Sequence, residues 1–187
     1  MDVLLQPISR ADRKNHAIYH MLQECPLNEN GFQNNAYGLA LRDFAAWISR
    51  GLEISRGIGL PEGYVRQTIY WLFIDGRPVG SAKLRHRLND ALRVEGGNIG
   101  YGIRPTERGK GYGRLLLGLM LVEARRQGLD RVLVTIDNSN IPSLRVAQAN
   151  GGSLDKRTPG CSYFWFDLMD MGGLASTGGV TSIGGLR

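Results

Sequence analysis

Tyr101-Gly102-Ile103-Arg104-Pro105-Thr106-Glu107-Arg108-Gly109-Lys110-Gly111-Tyr112-Gly113-Arg114 reads as the end of a strand, a glycine-rich turn and the start of a helix. The downstream residues predict the helix. Tyr112, Leu115, Leu116 and Leu119 recur at i, i+3, i+4 and i+7, one face of a 3.6-residue period. Arg125 and Arg126 suit the negative end of that helix, and Gly128 can take a left-handed cap, so the helix is expected to run to about Gln127. Glycines at 109, 111 and 113 leave the backbone N–H groups of the turn uncovered, and free N–H groups at a helix start favour an anion. Arg108, Lys110 and Arg114 add positive charge at the same spot. The turn reads as a phosphate or pyrophosphate site; a bare turn with solvated charges is the alternative, since glycine loops recur for structural reasons. It is not a Walker loop, because the lysine sits between glycines with no Ser or Thr after it. Nor is it a dinucleotide fingerprint: G-x-G-x-x-G fails at Arg114 counted from Gly109, and at Leu116 counted from Gly111.

A second stretch lies at a telling distance. Arg131-Val-Leu-Val-Thr-Ile136 reads as a strand, then come Asp137, Asn138, Ser139 and Asn140, then Ile141-Pro142-Ser143-Leu144-Arg145-Val146-Ala147-Gln148-Ala149-Asn150-Gly151-Gly152. Together the two stretches resemble the GNAT acetyltransferase superfamily. Arg108-Gly109-Lys110-Gly111-Tyr112-Gly113 is similar to its Q/R-x-x-G-x-G/A signature, and Asn140 to Ser143 to its N-x-x-[AS] element. The resemblance covers residues 69 to 168 by order of elements, and tightly only 99–118 and 131–152.

The resemblance implies an α/β (α+β) fold, with a mixed, mostly antiparallel central sheet, a splayed parallel strand pair and flanking helices. It implies an N-acetyltransferase that moves an acetyl group from acetyl-coenzyme A, as co-substrate, to a primary amine by direct attack. The cofactor-binding residues carried over are Tyr101, Ile103, Arg108, Gly109, Lys110, Gly111, Tyr112, Gly113, Arg114, Asn140 and Ser143. The backbone of the strand holding Tyr101 to Ile103 would receive the pantetheine arm and donate an N–H to the developing oxyanion. An alkylammonium of pKa about 10 is no nucleophile at neutral pH, so the amine must lose a proton. The family's usual base position falls on Gly97, and Glu95, two residues earlier, is the candidate carboxylate. The family's usual acid tyrosine falls on Ala147, so solvent or the amine's own proton is expected to serve the departing thiolate, with Tyr101 as the candidate hydroxyl if an acid is essential. A catalytically weak acetyl-coenzyme A-binding module of the same fold is the second reading. A protein holding some other nucleotide is a third.

With 187 residues, 42% hydrophobic and 21% charged, the chain has the make-up of one soluble domain. Residues 1–170 are assigned to a single acetyltransferase domain and 171–187 to a flexible glycine-rich tail, in which Gly-Gly recurs every six residues. The net charge of +6 suits an anionic ligand, but acids lie among the bases without a long basic run, so nucleic acid is not expected. The acceptor is expected to be a small-molecule or peptide amine, and a homodimer is left open. Cys25 and Cys161 form no disulfide framework or metal spacing, and scattered histidines at 16, 20 and 86 make no metal site. Free thiols, the lack of an apolar leader and the lack of a run of about 18 apolar residues predict a cytoplasmic protein with no membrane span.

Val3 to Pro7 reads as a first strand, Ala11 to Gln23 as a helix ended by Pro26, and Leu39 to Leu52 as a second helix. In the resembled family the region between that first strand and the hairpin forms a lip over the acceptor site. Five of its acids, Glu24, Glu29, Asp43, Glu53 and Glu62, read as solvated surface or as a pocket for a cationic amine. Thr68 to Ile74 and Val79 to Arg85 flank Asp75-Gly76 and predict a hairpin. Arg93 to Ile103 is predicted as one strand, whose glycines at 96, 97, 100 and 102 weaken it unless another chain or a ligand comes close. Ser153-Leu154 and Cys161 to Leu168 complete the sheet.

Overall fold

A computed structural model of the chain describes residues 1–169. The tail assigned to 171–187 lies outside the described residues. Two sheets share one apolar layer. The first, in spatial order, holds β1 (Val3–Pro7), β4 (Gln67–Ile74), β5 (Arg77–Arg85) and β6 (Ile99–Ile103). The second holds β7 (Arg131–Asp137), β9 (Cys161–Asp167) and β8 (Ser153–Arg157). Every pairing within a sheet is antiparallel. A small hairpin, β2 (Asn28–Glu29) and β3 (Phe32–Gln33), stands apart.

Residues of β4 are buried on both faces because helices cover both. Successive side chains of a strand point to opposite sides. Tyr70, Leu72 and Ile74 therefore pack with Leu116, Leu117, Met120 and Leu121 of α4 (Tyr112–Arg126), while Ile69, Trp71 and Phe73 pack with α1 (His16–Glu24) and α2 (Leu41–Arg56). Val132, Val134, Ile136, Phe164 and Phe166 of the second sheet join the α4 layer, so α4 spans both sheets. Trp71 donates its indole N–H to buried Asp12 at 3.0 Å, and the backbone N–H of Ser9 and the Gln6 amide complete that carboxylate's partners.

Local signals account for most boundaries. Asp75 (φ 48°) and Gly76 (φ 74°) make the left-handed pair that a two-residue hairpin turn requires. The first helix differs from expectation: Arg10–Lys14 is a short 3-10 helix, and α1 starts only after Asn15, whose side chain accepts the Ile18 N–H at 3.2 Å. The second runs on to Arg56, where Gly57 in the left-handed region ends it. The expected strand 93–103 is corrected to 99–103. Asn89 instead caps a five-residue helix, α3 (Asp90–Val94), by accepting the Leu92 N–H at 2.9 Å. Gly96 (φ 103°) and Gly97 (φ 58°) then turn the chain into β6.

Candidate functional site

β6 and β7 are edge strands of their respective sheets and meet at one point. The Asn98 N–H donates to the Leu133 carbonyl at 2.7 Å, and the Leu133 N–H donates back to Asn98 Oδ1 at 2.9 Å. The Asn98 side-chain amide also reaches the Arg85 carbonyl at 3.2 Å, tying β5 to the same point. Only glycine fits just before it, because a Cβ on Gly97 would overlap the Leu133 carbonyl. Past Asn98 no further backbone bond joins β6 to β7 among the described residues, which leaves a gap in the pairing between the two edges.

The side chains at the gap come from the glycine-rich stretch 101–114 and from α5 (Ile141–Ala149). The Tyr101 hydroxyl lies 2.7 Å from Ser143 Oγ and bridges the opening. Burial pushes the Tyr101 phenol up to about 12, against a smaller opposing pull from the Ser143 hydrogen bond. Asn140 caps α5 by accepting the Ser143 N–H at 3.2 Å. Gly113 lets the start of α4 lie against Tyr101, Ile103 and Val146, each within 4 Å of where a Cβ would stand. Tyr101, Ile103, Gly113 and Ser143 thus converge on one end of the gap, with Asn140 behind Ser143.

The turn between them carries the donors. Gly109 (φ 76°) and Gly111 (φ 82°) are both left-handed, a conformation glycine adopts without strain. Gly111 is the N-cap of α4 and brings no side chain to cap it, so the N–H groups of the first turn around Tyr112 stay uncovered. The bases are less free than the sequence implies. Lys110 donates to Glu107 at 2.8 Å, and the buried Glu107 carboxyl, held below the usual range chiefly by that contact, also accepts from Arg77 at 3.0 Å. Arg108 grips Glu29 of the small hairpin with both terminal nitrogens, at 2.8 and 2.5 Å, and sends Nε to the Ile103 carbonyl at 3.1 Å. Arg104 also pairs with a carboxylate, donating from Nε and one terminal nitrogen to Glu24. Arg114 is exposed and forms no ion pair among the described residues.

The face of the sheets away from α4 holds the other half of the site. Phe32 lies flat on β6, 3.2 Å from where a Cβ of Gly102 would be and 3.4 Å from that of Gly100. That packing is the physical reason for those two glycines. The Lys83 ammonium donates to the Gln33 carbonyl at 2.6 Å, and Arg85 donates to the carbonyls of Gly96 and Gly97 at 2.8 and 3.2 Å. Burial, helped by Arg85, brings the Lys83 ammonium down to about 8. Phe32, Trp47, Trp71, Ser81 and Lys83 line a shallow cleft here. The acidic pocket read as an alternative from the lip is not built. Glu24 and Glu29 are engaged by Arg104 and Arg108, Asp43 and Glu53 pair with Arg42 and Arg50, and Glu62 is exposed.

Glu95 is exposed at the C-cap of α3, outside β6. The neighbouring Gly96 N–H donates to Thr135 Oγ1 at 2.8 Å, so the backbone beside Glu95 lies against β7. Ala147 is fully buried in the α4 layer. Asn98, Glu107, Lys83 and Arg85 went unremarked as site residues in the sequence; the one signal for Asn98 was a lone amide between glycines and a strand.

Residues 3–153 match the model of the acetyltransferase (GNAT) domain. No curated protein sequence matches the chain. Among solved structures, the chain is similar to a ribosomal L7/L12 alpha-N-protein acetyltransferase in complex with coenzyme A, with TM-score 0.65, 13% identity, and 89% of this chain and 94% of that one covered. It is similar to an aminoglycoside acetyltransferase in complex with coenzyme A, with TM-score 0.63, 18% identity, and coverage of 91% and 97%. An N-acetyltransferase from Staphylococcus aureus Mu50 matches with TM-score 0.59, 18% identity, and coverage of 90% and 99%. No helix among the described residues is long and apolar enough to cross a membrane.

Proposed function

The chain belongs to the GNAT acetyltransferase family, and from that premise we propose that it transfers an acetyl group from acetyl-coenzyme A to a primary amine by direct attack. The observation that carries the reading is the gap between β6 and β7, closed at Asn98 and flanked by the uncapped glycine turn of α4. The fit is chemical: a pyrophosphate suits unpaired N–H donors and nearby cations, and an extended arm suits an unpaired strand edge.

Acetyl-coenzyme A supplies a thioester; the acceptor nitrogen adds to its carbonyl carbon, the C–N bond forms, the C–S bond breaks, and an amide and a thiol result. Gly109, Gly111, Tyr112 and Gly113 offer backbone donors to the pyrophosphate, with charge from Arg108, Lys110 and Arg114. Backbone N–H groups of Tyr101 to Ile103 on the open edge of β6 stabilise the oxyanion. Asn140 and Ser143 hold the adjacent part of the arm. The Tyr101 hydroxyl, kept neutral by burial, returns a proton to the departing thiolate. Glu95, whose neighbouring backbone lies against β7, receives the amine's proton through water.

A binding domain of weak activity is the second reading, favoured by the burial of Ala147, which leaves no hydroxyl at that helix position. Calorimetric titration with coenzyme A tests the site, and thiol release with an amine panel tests the reaction. Arg108→Ala and Lys110→Ala are each expected to weaken binding by about 1–3 kcal/mol, and a bulky residue at Gly111 to do worse. Unchanged affinity in all three variants would sink the assignment. Binding without turnover on any amine would favour the binding domain.

A further inference from the structure

Two cations on the face away from α4 lack a counter-charge. Lys83 and Arg85 are two residues apart on β5, so they share a face. Their register puts them beside the mouth of the gap: Lys83 is opposite Gly100, and the Arg85 N–H donates to the Asn98 carbonyl at 2.7 Å. Both are half-buried, yet neither forms an ion pair with a carboxylate among the described residues. Their partners are the backbone carbonyls of Gln33, Gly96 and Gly97, and the Phe32 ring, whose centroid lies 5.4 Å from Lys83 Nζ.

An ammonium has three donors and a guanidinium five, so most of this capacity is unspent. Buried charge is costly unless paired, and two like charges side by side add to the cost. The lowered pKa of Lys83, from burial and then from Arg85, reflects the same situation. Elsewhere the chain avoids it. Arg77, Arg104, Arg108, Lys110 and Arg126 all meet carboxylates. The cleft that reaches Lys83 has aromatic walls from Phe32, Trp47 and Trp71, and offers no acid to a cationic acceptor.

We propose that Lys83 and Arg85 form an oxyanion site for the acceptor, so that the amine acetylated carries a carboxylate or phosphate close to it and is not a polycation. The assignment of the oxyanion to an acceptor rests on the acetyl-transfer reading; the existence of the site does not. Lys83 is the adaptable half, because it can release the Gln33 carbonyl, whereas Arg85 is fixed on two carbonyls and contributes its remaining N–H groups.

The test uses matched probes at pH 7, read by the fluorescence of Trp47 and Trp71 in the cleft. N-acetylglycine is compared with N-methylacetamide for the carboxylate, and methyl phosphate with methanol for the phosphate. At least one anionic probe is expected to bind tenfold or more tightly than its neutral partner. Lys83→Gln should erase that preference, Lys83→Arg should keep it, and calorimetry should give both variants the wild-type affinity for coenzyme A. Equal binding of both pairs, or a preference that survives Lys83→Gln, overturns the proposal. If Lys83→Gln does not fold, the paired probes on the wild-type protein decide alone. Thiol-release assays separate the two readings. Anion binding without turnover of glycine, O-phosphoethanolamine or any other amine leaves the oxyanion site standing and removes acetyl transfer. Spermidine turned over with higher kcat/KM than either anionic amine does the reverse.

Discussion

Glu29→Gln is expected to tighten coenzyme A binding. Both terminal nitrogens of Arg108 are on Glu29, at 2.8 and 2.5 Å. For Arg108 to serve a pyrophosphate it must give up that partner. The pair is solvent-accessible, with side chains 44% and 37% exposed, so salt and water weaken it. Exposed ion pairs contribute about 0.2–1 kcal/mol. Removing the competitor returns that amount to ligand binding, a gain of roughly 1.5- to 5-fold in affinity at 25 °C. Arg108→Ala has the opposite sign, and Glu29→Gln should add nothing in its background, because the carboxylate acts through Arg108. Calorimetric titration of the two single variants and the double variant closes the cycle. The gain should shrink at about 1 M salt, where the screening length is about 3 Å. A weaker complex with Glu29→Gln, or the same gain in the Arg108→Ala background, refutes the exchange.

Three further outcomes are expected from buried groups. The Lys83 ammonium titrates near 8 in the folded state, against 10.5 for the free side chain, so between those values the unfolded chain holds more protons and stability rises with pH. Lys83→Met should therefore exceed wild type in urea resistance at pH 7, by a margin that narrows toward pH 10; a constant margin would show that the ammonium carries no burial cost. Asn98→Ala strands the buried Leu133 N–H and should cost about 1–3 kcal/mol in equilibrium unfolding, with an unaltered midpoint counting against the seam. Ala147→Tyr should lower the melting temperature by several degrees and restore no activity, since a ring at a fully buried position overpacks the α4 layer; a stable, faster variant would mean that the position opens toward the gap.

Much of this architecture is written in local pattern. The 3.6-residue stripe from Tyr112, the Asp75-Gly76 hairpin and the aromatic-rich apolar runs of β4 and β9 each depend on neighbours a few residues away. The glycine turn was legible for the same reason, since Gly109 and Gly111 answer to their own φ angles. The misjudged strand at 93–103 is instructive: Asn89 is a helix cap and Gly96-Gly97 a turn, but glycine and asparagine serve loops, caps and bulges alike. What the sequence could not display was partnership at a distance. Nothing near Arg108 announces Glu29, 79 positions earlier, as its carboxylate. Nothing near Gly100 and Gly102 says that the ring they admit is Phe32. The lack of a counter-charge at Lys83 and Arg85 is likewise a property of the folded surroundings.

The seam at Asn98 also sets where the backbone opens. Backbone pairing runs unbroken through β1, β4, β5 and β6 and again through β7, β9 and β8, while the two edges meet through the Asn98–Leu133 pair, with the Gly96 N–H on Thr135 Oγ1 beside it. The apolar layer under α4 joins both sets in one core, but the amide hydrogens along the facing edges lack partners across the seam and should exchange with solvent faster than those of β4 or β9. A ligand lying along both edges would act as a missing strand and slow exchange in β6 and β7 together.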